Sequence, residues 1–330
     1  MKEVVVKLLK YVKFGILLCV CCAIPHTRGP IIEHDANQDI GWSGEDTLNV
    51  WGRGVYAFHP LEEEITFDVP MVRNDRVEFF VQYYQNEAYQ SYATYLKRSV
   101  KYIEPMRDIF KKHDLPQDLV YLALIESGYN PFAYSRAHAM GPWQFLAGTA
   151  RIYGLSRNKW VDERRDPVKS TEAAARYLKD LYEIFEDWYL VLAAYNTGQS
   201  RVLTAMKEAQ SRDYWALDLP TQTEDYVPRF LAATIIAKNP EQYGFDIAYE
   251  EPFEHEVMLV PGKTDLKTTA ACLGCEVDLL RRLNPELKHL VTPPNASSYP
   301  LRIPRGSKEI FDLCCEKLGE PNRGVCRPQG

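Results

Sequence analysis

Apolar positions recur at helical spacing through most of the chain from residue 75 to 245. Val77, Phe80, Val81 and Tyr84 fall at i, i+3, i+4 and i+7, and Tyr92, Leu96, Ser99 and Val100 at i, i+4, i+7 and i+8, again one helical face, so two or three helices are expected before His113. From residue 116 to about 127, Leu119, Leu122, Ala123 and Glu126 share one face while Val120, Tyr121, Leu124 and Ile125 cover the others. This predicts a buried helix with a carboxylate at its C-terminal end, Pro116 as its first residue and Asp114 as its cap. Gly128, Asn130 and Pro131 supply a turn, residues 132–140 a short polar loop, and Pro142 suits the first turn of a further helix. Ser170 is the expected cap of a helix with the stripe Ala174, Leu178, Leu181 and Phe185. The run WYLVLAAYN, residues 188–196, is apolar all round and ends at Asn196-Thr197-Gly198. Helices follow over 199–210 and after Pro228 to Ile236. Beyond Gly244 the period changes: strand 255–260, helices 265–273 and 276–283, strand 299–303. The fold class is mainly α, with a small α+β module at the end.

The first 23 residues differ from the rest. Lys2, Lys7, Lys10 and Lys13 precede an apolar run over 14–23 that is too short to span a bilayer and reads as a secretory signal; an amphipathic first helix is the rival reading. Export to the periplasm or cell envelope is the expectation, with a lipid anchor at Cys19, Cys21 or Cys22 left open. Residues 24–74, with Trp42 and Trp51 among Pro and Gly, read as an extended lead-in. The 330 residues carry 46% hydrophobic and 25% charged residues, ordinary for a globular protein. Without residues 1–23 the formal charge moves from −6 to about −9, and no Lys/Arg run appears, which argues against nucleic-acid binding.

The candidate chemistry centres on Glu126. Burial and the C-terminal end of a helix both disfavour a charged carboxylate, giving a proton donor of the kind glycosidic oxygen needs, although a helix-end group reaching solvent explains Glu126 equally well on its own. The segment WVDERRDP brings Asp162, Glu163 and Asp166 together; with Arg164 and Arg165 interleaved, a salt-bridged connector is preferred over a water-activating carboxylate. Ser127 and Ser135 suit turn and cap chemistry, Gln144 needs partners if buried, His138 is a loop residue, Tyr195 is core and Asn196 a C-cap. Five cysteines follow the signal: Cys272, Cys275, Cys314, Cys315 and Cys326. A disulfide joining the last module to the tail is preferred; the CxxC spacing of Cys272 and Cys275 keeps zinc as the alternative.

Four segments in order, IESGYNPFAYS, AMGPWQF, AAYNTG and EDYVPRF, together resemble the successive motifs of lytic transglycosylases, most of all the membrane-bound lytic transglycosylase D branch. The resemblance implies a goose-type lysozyme-like domain over 75–245 that cleaves peptidoglycan. In this family's pattern Glu126 is the catalytic acid and then base, Ser127 supports it, Ser135 bonds the saccharide, Met140 and Gln144 line the cleft, and Tyr195, Asn196 and Tyr226 approach the carboxyl. Pro142 and His138 depart from the residues relatives carry there. Residues 253–306 are similar to a degenerate LysM module, with LNPEL as its best feature and an altered opening, VPGKTDL; a tail covers 307–330. No metal or cofactor is implied. A hydrolytic muramidase and an inactive wall-binding protein are the alternatives.

Overall fold

The first helix of the helical part, α1 (Asp75–Gln85), starts where Asn74 Oδ1 accepts from Val77 N at 3.1 Å and buries Val77, Phe80, Val81 and Tyr84, the face its spacing predicts. The structure is a computed structural model that describes residues 65–250 and 254–317. The signal, anchor and most lead-in expectations lie outside the described residues, as do Cys326 and the side chain of Cys315.

α2 (Tyr89–Ser99) and α3 (Ile103–Lys112) complete the expected scaffold. The Glu126 helix begins differently from its prediction. A 3-10 turn, Gln117–Val120, leads into α4 (Tyr121–Ser127), and Pro116 is extended, ahead of the helix. Asp114 does not cap it. The carboxylate of Asp68 does, accepting from Gln117 N at 2.6 Å and Asp118 N at 2.9 Å, while Asp68 N donates back to Asp118 Oδ2 at 3.0 Å. α4 ends with Gly128 at φ 56°, where Gly128 N reaches Leu124 O and Tyr129 N reaches Ala123 O. A Cβ at Gly128 would also stand 2.0 Å from the Tyr95 ring, so glycine is required there twice over.

Pro142 lies in a turn, a correction to its expected place in a helix; narrow bridges pair Tyr134 with Met140 and Met140 with Phe145, and α5 (Ala147–Ile152) starts only afterwards. α6 (Pro167–Phe185) is capped by Asp166, which accepts from Val168 N and Lys169 N at 2.9 Å, with Pro167 as first residue. Ser170 therefore sits inside the helix, its Oγ donating to Asp166 O. The stripe Ala174, Leu178, Leu181 and Phe185 is fully buried as expected. α7 (Trp188–Thr197), α8 (Gln199–Ala209), the short α9 (Thr221–Glu224) and α10 (Tyr226–Lys238) close this part. α10 packs against α1, α4 and α7, so the helix bearing Glu126 touches the helix that begins with Tyr226.

The C-terminal module has two antiparallel strands, β1 (His255–Val260) and β2 (Tyr299–Pro304), with Met258 opposite Leu301. Between them lie α11 (Leu266–Leu273) and α12 (Val277–Leu283), and α13 (Lys308–Lys317) follows. Met258, Val260, Leu266, Leu280, Leu283, Leu301 and Ile303 fill its core, and Val161 from the helical part joins that core. The disulfide Cys272–Cys314 fastens α11 to α13 and leaves Cys275 as a thiol, which removes the CxxC pair as a zinc half-site. Among the described residues no helix is long and apolar enough to cross a membrane.

Candidate functional site

Glu126 comes last but one in a helix whose other side chains pull it inward, and it is 5% exposed. Burial pushes its carboxyl up from 4.5 to about 7. The hydrogen bond that Tyr226 Oη donates to Glu126 Oε1 favours the charged form and opposes that shift without cancelling it. The group is thus poised where gaining or losing a proton costs little at neutral pH. Helical spacing alone could not show this partner, because 100 residues separate the two; the resemblance of EDYVPRF to the family's motif marks Tyr226.

Tyr195 lies on α7 near enough that the Glu126 charge acts on its phenol, which burial already pushes up. Its hydroxyl donates to Trp143 O at 2.8 Å rather than to the carboxyl. Asn196 follows it; Thr223 Oγ1 donates to Asn196 Oδ1 at 3.0 Å, and Asn196 Nδ2 is buried without a protein partner among the described residues. Thr223, which precedes the EDYVPRF motif by one residue, carries no sequence signal that would mark it.

The loop from Ala133 to Phe145 carries the remaining candidates and is tied on four sides. Ser127 Oγ donates to Pro142 O at 2.9 Å and to Ala123 O, so this serine anchors the loop and caps the helix. Ser135 Oγ accepts from Ala139 N at 3.0 Å, the turn chemistry its position allowed. Gln144, at φ 47°, donates Nε2 to Gly141 O at 2.8 Å and Ala133 O at 3.3 Å, meeting the need of a buried amide within its own loop. Trp143 Nε1 donates to Thr171 Oγ1 on α6 at 2.8 Å. Met140 is buried, with its sulfur 3.4 Å from Arg165 Nε. His138 is exposed and meets Tyr134 through Nδ1, a loop contact.

The WVDERRDP segment is the fourth tie. Arg164, almost wholly buried, pairs with Asp162 through Nε at 2.9 Å and Nη2 at 2.8 Å, and its Nη1 reaches His138 O at 3.0 Å and Phe145 O at 2.9 Å. Burial alone would push Asp162 up; the Arg164 bonds outweigh it and hold the carboxyl below its ordinary value. Glu163 pairs with Lys169, and Asp166 with Arg302 of the module. All three carboxylates are committed to ion pairs, as a connector requires. The segment is also the seat of the module: Val161 bridges Leu287, Asp162 N donates to Glu286 O and Lys288 N to Trp160 O, both at 2.9 Å. LNPEL supplies Asn284, which clamps Arg302 from both sides, as well as Glu286 and Leu287.

Residues 107–217 match the Transglycosylase SLT domain, and residues 255–316 match the LysM-like domain of lytic transglycosylase MltD. Membrane-bound lytic murein transglycosylase D of Escherichia coli (strain K12) is 37% identical over 209 residues, 62% of this chain and 45% of that protein. A protein of Alteromonas sp. (strain M-1), called a tributyltin chloride resistance protein, is 35% identical over 127 residues, 38% of this chain and 61% of that one. The crystal structure of the 70 kDa soluble lytic transglycosylase of Escherichia coli is similar at 28% identity, with a TM-score of 0.36 over 41% of this chain and 24% of that one. The chain thus spans under half the length of the lytic murein transglycosylase D it matches.

Proposed function

We propose that this chain is a peptidoglycan lytic transglycosylase that cleaves the β-1,4 bond between N-acetylmuramic acid and N-acetylglucosamine without consuming water. The observation that carries the reading is Glu126: buried, raised to about 7 and hydrogen-bonded by Tyr226 at the C-terminal end of α4. The family-domain match over residues 107–217 supports the same substrate class.

Protonated Glu126 gives its proton to the glycosidic oxygen as that bond breaks. The resulting carboxylate takes the proton of the muramoyl C6 hydroxyl, whose oxygen bonds to C1 and closes a 1,6-anhydro ring. One carboxyl serves both steps, and its return to the protonated form completes the cycle. Tyr226 steadies the charged intermediate state of Glu126. Positive charge at C1 is balanced by the substrate's own N-acetyl oxygen, and the buried Asn196 amide donor is suited to orienting that group. Ser135, Met140 and Gln144 shape the loop beside the bond, with Ser127 and Tyr195 holding it in place. Asp162, Glu163 and Asp166 are engaged by cations and are unsuited to activating water, which favours this reaction over a muramidase. The module is a glycan-holding element, and the cell envelope is the site of action, with export and any lipid anchor residing in the N-terminal segment.

The test is release of soluble glycan from purified sacculi. Wild-type protein releases fragments and Glu126→Gln loses at least about a thousandfold in rate, the scale of removing an acid that is also the base. A Glu126→Gln variant that digests sacculi normally contradicts the proposal.

A further inference from the structure

Two guanidinium groups, one from the helical part and one from the module, converge beside the loop that carries Met140. Arg165 is half-buried and lays Nε 3.4 Å from Met140 Sδ. Arg281, exposed on α12, holds Cζ 5.2 Å from the centre of the Phe132 ring. Phe132 adjoins the start of the loop from Ala133 to Phe145, and Met140 lies within it, where Gly141 N donates back to Ala133 O at 2.9 Å.

The two cations feel each other. Burial lowers the Arg165 pKa first, and repulsion from Arg164 and Arg281 lowers it further against the pull of Asp162. Among the described residues neither Arg165 nor Arg281 forms an ion pair. The nearby carboxylates are spent elsewhere: Asp162 on Arg164 at 2.8 Å, and Asp278 on Arg282 at 3.0 Å. From Arg281 a groove of about 330 Å³ continues along the module, lined in part by Val277, Asp278, Leu287, Lys288 and His289. Lys288 Nζ and His289 Nε2 rest on carbonyls of the helical part, Asn158 O and Lys159 O, and among the described residues neither forms an ion pair. A cluster of like charges held together without a counter-ion is stabilised by an anionic ligand, and planar guanidinium forks match carboxylates best.

We propose that Arg165 and Arg281 form an anion subsite that takes carboxylates of the acidic stem peptide borne by the muramic acid residue, so that the chain reads peptide as well as glycan. The inference rests on the proposed substrate class and adds its peptide moiety. It also gives the docked module a part in the site: Arg281 arrives only because α12 is seated on the helical part.

The test uses the full chain as Glu126→Gln, which blocks turnover, with two probes: glycan strands bearing stem peptides, and the same strands after amidase removal of the peptides. The expected result is about tenfold tighter binding of the peptide-bearing strands, the scale of one or two charge-assisted hydrogen bonds. That preference is lost in Arg165→Gln/Arg281→Gln and largely kept in Arg165→Lys/Arg281→Lys. Each preference is a ratio within one protein sample, so partial misfolding of a variant cancels. Equal binding of the two strands, binding of neither, or an intact preference in the double Gln variant overturns the subsite. Wild-type release of sacculi is measured alongside: no release with the preference intact removes the proposed reaction and leaves the subsite standing.

Discussion

A carboxyl group closed off from water at the end of a helix makes the protein's stability depend on pH in a definite direction. An unfolded chain binds the Glu126 proton with an ordinary value near 4.5, and the folded chain with one of about 7. Between these values the folded state holds more protons, so this group's contribution to stability falls as pH rises through that window and stays lost above it. Linkage sets the loss at up to about 3 kcal/mol. Glu126→Gln removes the cost: the variant is more stable than wild type by about 2–3 kcal/mol at pH 8, and the gain shrinks towards pH 4.5, as urea unfolding at the two pH values would measure. A pH-independent difference would mean that Glu126 keeps its ordinary value. Tyr226→Phe deletes a bond that favours the carboxylate, so the Glu126 value rises further. The alkaline limb of the pH–rate profile then moves to higher pH, where an unmoved limb would show that Tyr226 does not act on Glu126. Glu126 was legible in the chain, since an i, i+3, i+4, i+7 face ended on it. The degree of burial that raises its value was not, because side chains from other helices close over it, and Tyr226, which opposes the shift from 100 residues away, was marked by the family resemblance alone.

At the scale of elements, local pattern placed the helices well and their caps poorly. The strands over 255–260 and 299–303 and the stripe of α6 emerged where alternation or 3.6-residue spacing put them. The start of the Glu126 helix did not, because Asp68, 49 residues earlier, supplies the capping carboxylate in place of Asp114. Likewise Asp166 displaced Ser170, since a residue already joined to the turn before Pro167 reaches the free N–H groups first. The loop from Ala133 to Phe145 depends on Arg164, whose ion pairing was legible in WVDERRDP but whose hold on His138 O and Phe145 O was not. Arg164→Met leaves buried Asp162 with only the 3.6 Å contact of exposed Arg157, and two loop carbonyls without a donor, and should cost about 3 kcal/mol. Asp162→Leu added to Arg164→Met removes the weakly paired buried charge and should recover part of that loss in thermal or urea unfolding. If the double variant is as unstable as the sum of the two single ones, the pair is not the unit described here.

At the scale of the molecule, the module is not a pendant. Arg302 reaches Asp166, the cap of α6, across the junction and also Glu286 of its own module at 3.1 Å, so one side chain serves two buried carboxylates, one from each part. WVDERRDP is legible in the sequence as a connector between helices, but not as the strip that receives LNPEL, since a docking segment needs only three or four residues and carries no period of its own. Wild-type protein is predicted to unfold in calorimetry as one transition, and Arg302→Met to split it into two, with a loss of about 3–5 kcal/mol from the carboxylates left behind. A single transition in both proteins would show that the junction does not depend on Arg302. The most direct test of the central claim is mass spectrometry of the ends made when the protein digests sacculi in heavy-oxygen water. One buried glutamate acting as acid and then base predicts muramoyl ends lighter by one water than hydrolytic ends and free of heavy oxygen, with none formed by Glu126→Gln. Reducing ends carrying heavy oxygen would contradict it and return attention to Asp162, Glu163 and Asp166.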